Sequence, residues 1–201
     1  MSLFGDETEE LLPYDFSVLY KEWALGDLDS ESVFNALVEQ INWETHQIKM
    51  FGKIYDQPRL IAWYGEPNAT YSYSGTNMVM NDWTPLLLEL KSICEAESGS
   101  NFNSVLLNLY RDGNDKVGWH SDDEPELGSE PTIASLSLGA PRRFKFRHRE
   151  TKVVVEKTLE NGSLVIMSGL SQKCWEHEIP RQAGIKSPRI NLTFRKVHAS
   201  S

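Results

Sequence analysis

The chain has 201 residues, of which 40% are hydrophobic and 24% charged, and these values exclude a collagen-like repeat, a coiled coil and a fully disordered chain. The net charge of −9 argues against a nucleic-acid partner, because phosphate binding requires a basic surface. The charge is unevenly distributed, however. Residues 1–31 contain nine acidic and one basic side chain, whereas residues 141–201 contain 13 basic and five acidic ones. The basic C-terminal third therefore keeps nucleic-acid binding open.

The first 28 residues have little periodicity and many acids, and we interpret residues 1–28 as an acidic arm that is poorly ordered or loosely docked. No linker interrupts residues 29–201, which we predict to form a single domain. The acidic N-terminus does not resemble a secretory signal, and no apolar run approaches the roughly 20 residues of a membrane span. The two cysteines, Cys94 and Cys174, make no disulfide framework. We therefore expect a cytoplasmic protein without membrane contact, or a nuclear one in a eukaryote.

Two helices are predicted in the N-terminal half. Asp29 or Ser30 caps the first, because apolar residues recur at helical spacing over 33–41. The second begins at the Thr-Pro pair 84–85, where threonine is the cap and proline the first helical residue, and it ends before Gly99.

After residue 100 the sequence changes to short runs that are typical of β-strands, several of which alternate apolar and polar residues. Helices followed by many short strands predict an α+β, mainly β protein, with a β-sandwich or jelly-roll core braced by the N-terminal helices. The predicted strands are 104–110, 132–138, 142–148, 151–157, 163–168 and 190–195.

His120 and Asp122 form a motif that could bind a metal, because residues i and i+2 of an extended chain project from the same face. By chance alone, five histidines and 29 acids give roughly 0.7 such pairs, and His148 and Glu150 form a second one. The pair alone therefore also fits a surface ion pair. His177 offers a third ligand, and two histidines with one carboxylate suit non-haem Fe(II) chemistry with O₂.

A polar strand face near the C-terminus indicates an acidic ligand. Two guanidiniums, an amide and a hydroxyl share one face of the predicted strand, and burying them without an acid would be costly. An arginine fork is suited to a small dicarboxylate. A solvent-facing edge strand is the alternative interpretation. The four residues are Arg189, Asn191, Thr193 and Arg195.

Six short motifs follow one another along the chain: NLYRDG (108–113), GWHSDDE (118–124), SLG (137–139), FKFR (144–147), GSL (162–164) and PRINLTFR (188–195). In this order they resemble the AlkB family of Fe(II)/2-oxoglutarate-dependent dioxygenases, and the resemblance runs from about residue 48 to 197. The resemblance implies a double-stranded β-helix (jelly-roll) core over about 100–197 and an added β-hairpin nucleotide-recognition lid over about 46–80.

Carried over residue by residue, the resemblance implies Fe(II) as cofactor, with 2-oxoglutarate and O₂ as co-substrates. The implied iron ligands are His120, Asp122 and His177. The implied 2-oxoglutarate contacts are Asn108, Tyr110, Arg189 at the distal carboxylate, Asn191, Thr193, and Arg195 towards the keto-acid end.

The N-terminal half implies a nucleic-acid substrate, since the segment around Phe51 and Arg59 is similar to the hydrophobic finger of relatives that repair duplex DNA. A core role for Phe51 is the alternative. Tyr71 and Tyr73 are similar to the family's nucleotide-recognition segment, and Glu124, with Asp123 beside it, would contact the base.

The resemblance implies an oxidative demethylase, acting as a monomer, that repairs 1-methyladenine and 3-methylcytosine in single- or double-stranded DNA. The short hairpin at 149–153 departs from the longer basic loop of duplex-active relatives, and this puts a duplex preference in doubt. RNA as substrate and a non-catalytic barrel module that binds metal or nucleic acid are the alternatives.

Overall fold

The computed structural model describes residues 8–13, 17–50, 53–67, 72–73, 76–77 and 80–198. Its helices are α1 (Ser30–Gln40), α2 (Pro85–Ser98) and α3 (Ser171–Cys174), with a 3₁₀ turn at Pro125–Leu127. Its strands are β1 (Thr8–Glu10), β2 (Val18–Lys21), β3 (Glu44–Met50), β4 (Lys53–Gly65), β5 (Ser72–Tyr73), β6 (Thr76–Asn77), β7 (Met80–Asn81), β8 (Ser104–Tyr110), β9 (Val117–His120), β10 (Ile133–Gly139), β11 (Arg142–His148), β12 (Val154–Leu159), β13 (Leu164–Met167), β14 (Trp175–Ile179) and β15 (Arg189–Arg195).

Two sheets pack face to face. In the described ranges the larger sheet has nine strands in the order β1-β2-β13-β10-β15-β8-β4-β3, with β7 beside β4, and the smaller has the order β12-β11-β14-β9. A core that includes Tyr110, Phe144, Phe146 and Trp175 joins the two sheets. This arrangement confirms the predicted jelly-roll, mainly β fold.

The two long helices cover the outer face of the larger sheet, and both begin as the sequence predicts. The Asp29 carboxylate accepts a hydrogen bond from the Ser32 amide at 2.8 Å, and the Thr84 hydroxyl accepts one from the Leu87 amide at 3.2 Å. Gly99 ends α2 in the left-handed conformation, with φ +65°. The buried faces of both helices join a core made with β8, β10 and β15.

The described part of the N-terminal segment, residues 8–13 and 17–28, packs onto the larger sheet, whereas the sequence predicted a loosely docked arm. β2 pairs with β13 along its whole length, and β1 pairs with β2. Val18 is fully buried and Leu25 nearly so. The acidic composition of this segment did not indicate that some of its apolar side chains are buried against the sheet.

β4 begins earlier than the predicted core and belongs to the larger sheet. Its residues from Leu60 to Gly65 pair with β8, whereas Lys53 to Asp56 continue past the end of β8 and pair with β3. The lid predicted over about 46–80 is therefore continuous with the sheet through β3 and β4. β5 and β6 form a separate two-stranded ribbon.

The predicted strand 151–157 begins late, at Val154, because residues 149–153 form the turn from β11. Lys152 takes φ +61° there, and its amide donates to the His148 carbonyl at 3.1 Å. Among the described helices, none is long and apolar enough to cross a membrane.

Candidate metal and co-substrate site

The three predicted metal ligands meet at one end of the space between the sheets. His120 is the last residue of β9, and it lies directly opposite His177 on the neighbouring strand β14. Asp122 follows in the loop after β9. One ligand atom from each residue lies within 4.8 Å of the other two, so strand pairing places the three side chains around a single point.

A backbone contact orients the His120 ring. Its Nδ1 lies 2.8 Å from the Gly118 carbonyl, and because a carbonyl only accepts, Nδ1 carries the proton and donates. The other ring nitrogen, Nε2, is then the unprotonated atom that can bind a metal.

Asp122 is a buried carboxylate, and only one of its two oxygens accepts hydrogen bonds from the described residues. Oδ2 accepts from Arg195 Nη2 at 2.7 Å and from Nε at 3.2 Å, and the Asp122 amide donates to Gln172 Oε1 at 2.9 Å. Oδ1 is buried, with no hydrogen-bond partner among the described residues. Burial alone would raise the pKa of Asp122, but the neighbouring Arg195, His177 and His120 outweigh it and lower the pKa to about 2.

His177 is kept neutral by its surroundings. Burial, reinforced by the nearby His120, lowers its pKa to about 3, so at neutral pH the ring is in the uncharged form that coordinates metals. The Phe144 ring packs against it, with centroids 5.3 Å apart. One unpaired carboxylate oxygen and the imidazole nitrogens of His120 and His177 are the donor set that suits non-haem Fe(II), so the residues present fit this metal.

Arg189 supplies the second half of the site. It is 2% exposed, and Nη2 donates to the Ser137 hydroxyl at 2.9 Å. Nε and Nη1 are also buried, and no hydrogen-bond acceptor from the described chain meets them. Burial lowers the pKa of Arg189 to about 10, which leaves it charged at neutral pH. A buried cation with two unused donors matches the distal carboxylate of 2-oxoglutarate.

A row of polar side chains links Arg189 to the metal end of the cavity. The Asn191 side-chain Nδ2 donates to the Ser135 hydroxyl at 2.8 Å, and the Thr193 hydroxyl donates to Asn191 Oδ1 at 3.0 Å. Asn108 on β8 lies directly opposite Asn191 on β15. The polar face predicted for β15 therefore lines the cavity, and β15 is not a solvent-facing edge strand.

One open cavity between the sheets is lined by both the metal ligands and the co-substrate residues. All nine predicted iron and 2-oxoglutarate residues line it, which brings together residues that the sequence places far apart. Arg59 lines it as well, 5% exposed and donating from Nε to Asn108 Oδ1 at 2.7 Å. The sequence associated Arg59 with the substrate finger, whereas its side chain lies in the wall beside the co-substrate residues.

The remaining substrate residues are partly outside the description. Phe51 and Tyr71 lie outside the described residues, and of Tyr73 only its place in β5 is described. Glu124 is half-buried and precedes the 3₁₀ turn. Asp123 is exposed and pairs with Arg149 at 2.9 Å.

Sequence reasoning missed several polar residues that hold the site. Ser135 and Ser137 bond Asn191 and Arg189, and Gln172 holds the Asp122 amide. The two serines alternate with apolar residues in the predicted strand 132–138, and this alternation indicated a polar face on that strand. Gln172 had none, because only the three-dimensional fold brings α3 to the loop of the metal ligand.

The fold and the site together define the class of the protein. A model of the 2OG-Fe(II) oxygenase superfamily matches residues 18–195, and the chain therefore belongs to the 2OG-Fe(II) oxygenase superfamily. The family is defined by Fe(II) and 2-oxoglutarate, the two groups that the cavity residues fit. This finding confirms the predicted cofactor and co-substrate.

Curated relatives place the chain within the AlkB-type members. It is 44% identical over 180 residues to bovine alpha-ketoglutarate-dependent dioxygenase alkB homolog 3, covering 85% of this chain and 62% of that protein. It is 37% identical over 200 residues to mouse DNA oxidative demethylase ALKBH2, covering 94% of this chain and 81% of that protein. The predicted AlkB resemblance is therefore confirmed, although the chain spans only about six tenths of the alkB homolog 3 relative.

Solved structures agree on the fold. A structure of OsALKBH1 superposes with a TM-score of 0.64 at 16% identity, covering 92% of this chain and 99% of that one. An oxidoreductase of the 2OG-Fe(II) oxygenase family from Burkholderia pseudomallei gives a TM-score of 0.57 at 12% identity, covering 90% of this chain and 87% of that one.

Proposed function

We propose that the chain is an oxidative demethylase that removes methyl groups from N-methylated bases, of the 1-methyladenine and 3-methylcytosine type, in DNA. It acts as a monomer, because one chain supplies the metal and co-substrate residues. Its place is the cytoplasm, or the nucleus in a eukaryote. The names of the mouse and bovine relatives support the reaction class.

The proposal rests on two groups of buried polar atoms in one cavity that lack partners among the described residues. Asp122 Oδ1 is buried beside two histidines without a partner, and Arg189 Nε and Nη1 are buried without an acceptor in the described chain. Buried polar atoms are rarely left unpaired. A metal and a dicarboxylate would satisfy both sets at once.

When bound, the iron supplies the activation of O₂, one atom of which oxidises 2-oxoglutarate to succinate and CO₂ while the other hydroxylates the N-methyl group. The hydroxymethyl product then breaks its C–N bond, releasing formaldehyde and the unmodified base. His120, Asp122 and His177 would hold the iron. Arg189 would bind the distal carboxylate of the co-substrate, with Asn108, Tyr110, Asn191 and Thr193 around it.

Arg195 has a different role in this proposal from the one that the sequence implied. Both of its bonds to Asp122 fix the carboxylate so that Oδ1, rather than Oδ2, is left for the metal. Arg195 thus orients a metal ligand at the keto-acid end of the cavity, and its charge keeps Asp122 ionised.

The test is release of succinate and formaldehyde from 2-oxoglutarate, Fe(II) and an oligonucleotide that carries one methylated base. Matched DNA and RNA strands should be compared in the same assay, with ascorbate present. Faster turnover of the RNA strand would reassign the substrate. No turnover on either strand, although iron and 2-oxoglutarate bind, would leave the non-catalytic barrel module as the function.

Strand preference rests on Phe51 and on the basic residues around the cavity. The outward-facing cations of β11, Arg143, Lys145 and Arg147, are already paired with glutamates, Arg147 with Glu176 at 2.7 Å, and this favours single strands over a firmly held duplex.

Phe51→Ala tests the finger. If Phe51 fills the gap left by a flipped base, the variant should lose about five- to a hundred-fold in rate on a duplex and little on a single strand, because only the duplex demands the unstacking energy. Tyr73→Ala should impair both, since it would stack on the extruded base in either form. Initial rates on one methylated sequence, alone and annealed, provide the measurement. Equal losses for Phe51→Ala on both forms would return this residue to a core role.

A further inference from the structure

The hairpin of β3 and β4 carries a polar pair that the proposed reaction does not use. Gln57 is 5% exposed, and its Nε2 lies 3.3 Å from His46 Nδ1. The remaining polar atoms of the two side chains, His46 Nε2 and Gln57 Oε1, are also buried. Neither of them has a hydrogen-bond partner among the described residues.

The pair always leaves one donor and one acceptor unused. If the Gln57 amide donates to Nδ1, His46 Nε2 carries a proton and Gln57 Oε1 is free to accept. If the amide is reversed and Nδ1 donates, His46 Nε2 accepts and the Gln57 NH₂ donates. The two side chains can therefore exchange donor and acceptor together, and only a partner that presents both kinds of group satisfies them.

The β3–β4 ladder is irregular at the pair. Thr45 pairs with Leu60 and Gln47 with Asp56, so the single residue His46 faces three residues of β4 at an irregularity of the ladder. Bulges of this kind re-aim side chains and are frequent beside active sites. Gln57 and Arg59 share one face of β4, about 7 Å apart.

Arg59 connects the pair to the reaction site, because it lines the cavity and bonds Asn108. Burial, followed by the charge of Arg59, lowers the pKa of His46, and this favours the uncharged ring, which has two tautomers. The pair thus lies next to a residue of the cavity wall, on the part of β4 between Arg59 and Lys53.

We propose that His46 and Gln57 form a subsite for the base edge of the nucleotide next to the methylated one. The proposal rests on the proposed function, because it assumes a nucleic-acid substrate. Every base edge presents donors and acceptors side by side, and a pair that can exchange its own donor and acceptor accepts any base. The subsite adds affinity for an unpaired neighbour rather than sequence specificity.

Substrate length provides the test. The double variant His46→Phe/Gln57→Met should lower kcat/KM on a methylated trinucleotide by about five- to thirty-fold, the effect of one or two lost hydrogen bonds. It should leave kcat/KM unchanged on the methylated mononucleotide and on a trinucleotide whose neighbours are abasic. Gln47→Ala is the matched control, because Gln47 is exposed on the same hairpin and bonds Asp56.

Stability provides the second readout. Because both polar partners are replaced by apolar groups, the double variant should unfold at the same or a higher denaturant concentration than the parent. A pair with only a structural role would instead lose stability and leave the trinucleotide kinetics unchanged. Equal losses on the normal and abasic-flanked trinucleotides would also overturn the proposal, since the contact would then be to the backbone.

Direct binding separates this proposal from the proposed function. Fluorescence anisotropy with an unmodified labelled trinucleotide needs no turnover. If the parent binds it at least five-fold more tightly than the double variant, the subsite stands even where demethylation fails. If the parent demethylates normally and both proteins bind the trinucleotide equally, the subsite alone is rejected.

Discussion

β15 and β11 are both rich in arginine, yet their arginines have opposite roles. Arg189 on β15 is buried with two donors unused, and its neighbour Arg195 is buried against Asp122. On the outward face of β11, Lys145 and Arg147 are partly exposed and paired with glutamates. Cations on a solvated face normally find such partners, and these pairs contribute little.

Burial alone does not separate the two roles. Arg142 on β11 is 1% exposed, but it donates to the carbonyls of Asp112, Asp115 and Pro180 at 2.8–3.1 Å. Its hydrogen bonds hold two loops together, which leaves less capacity for a ligand. A buried cation with vacant donors indicates a binding site, whereas a buried cation with carbonyl partners indicates a structural one.

The largest effect should come from the inward-facing metal ligands. His120→Ala should reduce succinate release to background, because one of three metal ligands is lost, and it should keep the fold, because His120 is only half-buried. The exposed His198→Ala is the control and should retain parental activity. Near-normal turnover by the His120 variant would disprove the metal assignment.

Replacement of Arg189 should give the next largest effect. Arg189→Ala should raise the 2-oxoglutarate KM by more than about a hundred-fold, because loss of one partner of a buried charge pair costs roughly 3–5 kcal/mol. Arg189→Lys should restore little, since an ammonium does not reproduce a guanidinium fork. Arg147→Ala on β11 provides the comparison and should leave this KM unchanged. An unaltered co-substrate dependence in the Arg189→Ala variant would place the carboxylate elsewhere.

The buried His177 should make the metal-free protein less stable as the pH falls. Its folded pKa of about 3 lies below an unfolded value of about 6.5, so the unfolded state binds one more proton between these values. The free energy of unfolding should fall by about 1.4 kcal/mol per pH unit as the pH drops below about 6.5. Denaturant titrations above about pH 5 avoid the contribution of Asp122, whose folded pKa is about 2. An equally steep slope in His177→Gln would contradict this assignment.

The smallest effect should come from the outward face of β11. The triple variant Arg143→Gln/Lys145→Gln/Arg147→Gln should bind a methylated strand within about two-fold of the parent. If the three cations held phosphates, the salt dependence of binding should weaken by about 0.7–0.9 in slope for each lost contact. Binding measured between 50 and 200 mM salt distinguishes the two outcomes, and a slope reduced by about two would reverse the comparison.

The sequence predicted the polar face of β15 because strand alternation is a local property, and all four of its polar residues line the cavity. It did not predict that Arg195 bonds Asp122, since 73 residues separate them and only the packed sheets bring them together. Arg59 was linked to the finger by its neighbours in sequence, whereas the pairing of β4 with β8 places it beside Asn108. Local pattern identified the groups, and long-range pairing determined their partners.

Among the described residues, the N-terminal strands cover what would otherwise be an open edge of the larger sheet. β1 forms one edge of the larger sheet, and its three residues, Thr8, Glu9 and Glu10, are all exposed. Without β1 and β2 the edge would be β13, whose four residues are all buried and apolar. An open apolar edge strand is a template for pairing with another chain, whereas charged edges resist it. A chain shortened to begin after Lys21 should therefore aggregate, as light scattering would show, even though it retains every metal and co-substrate residue.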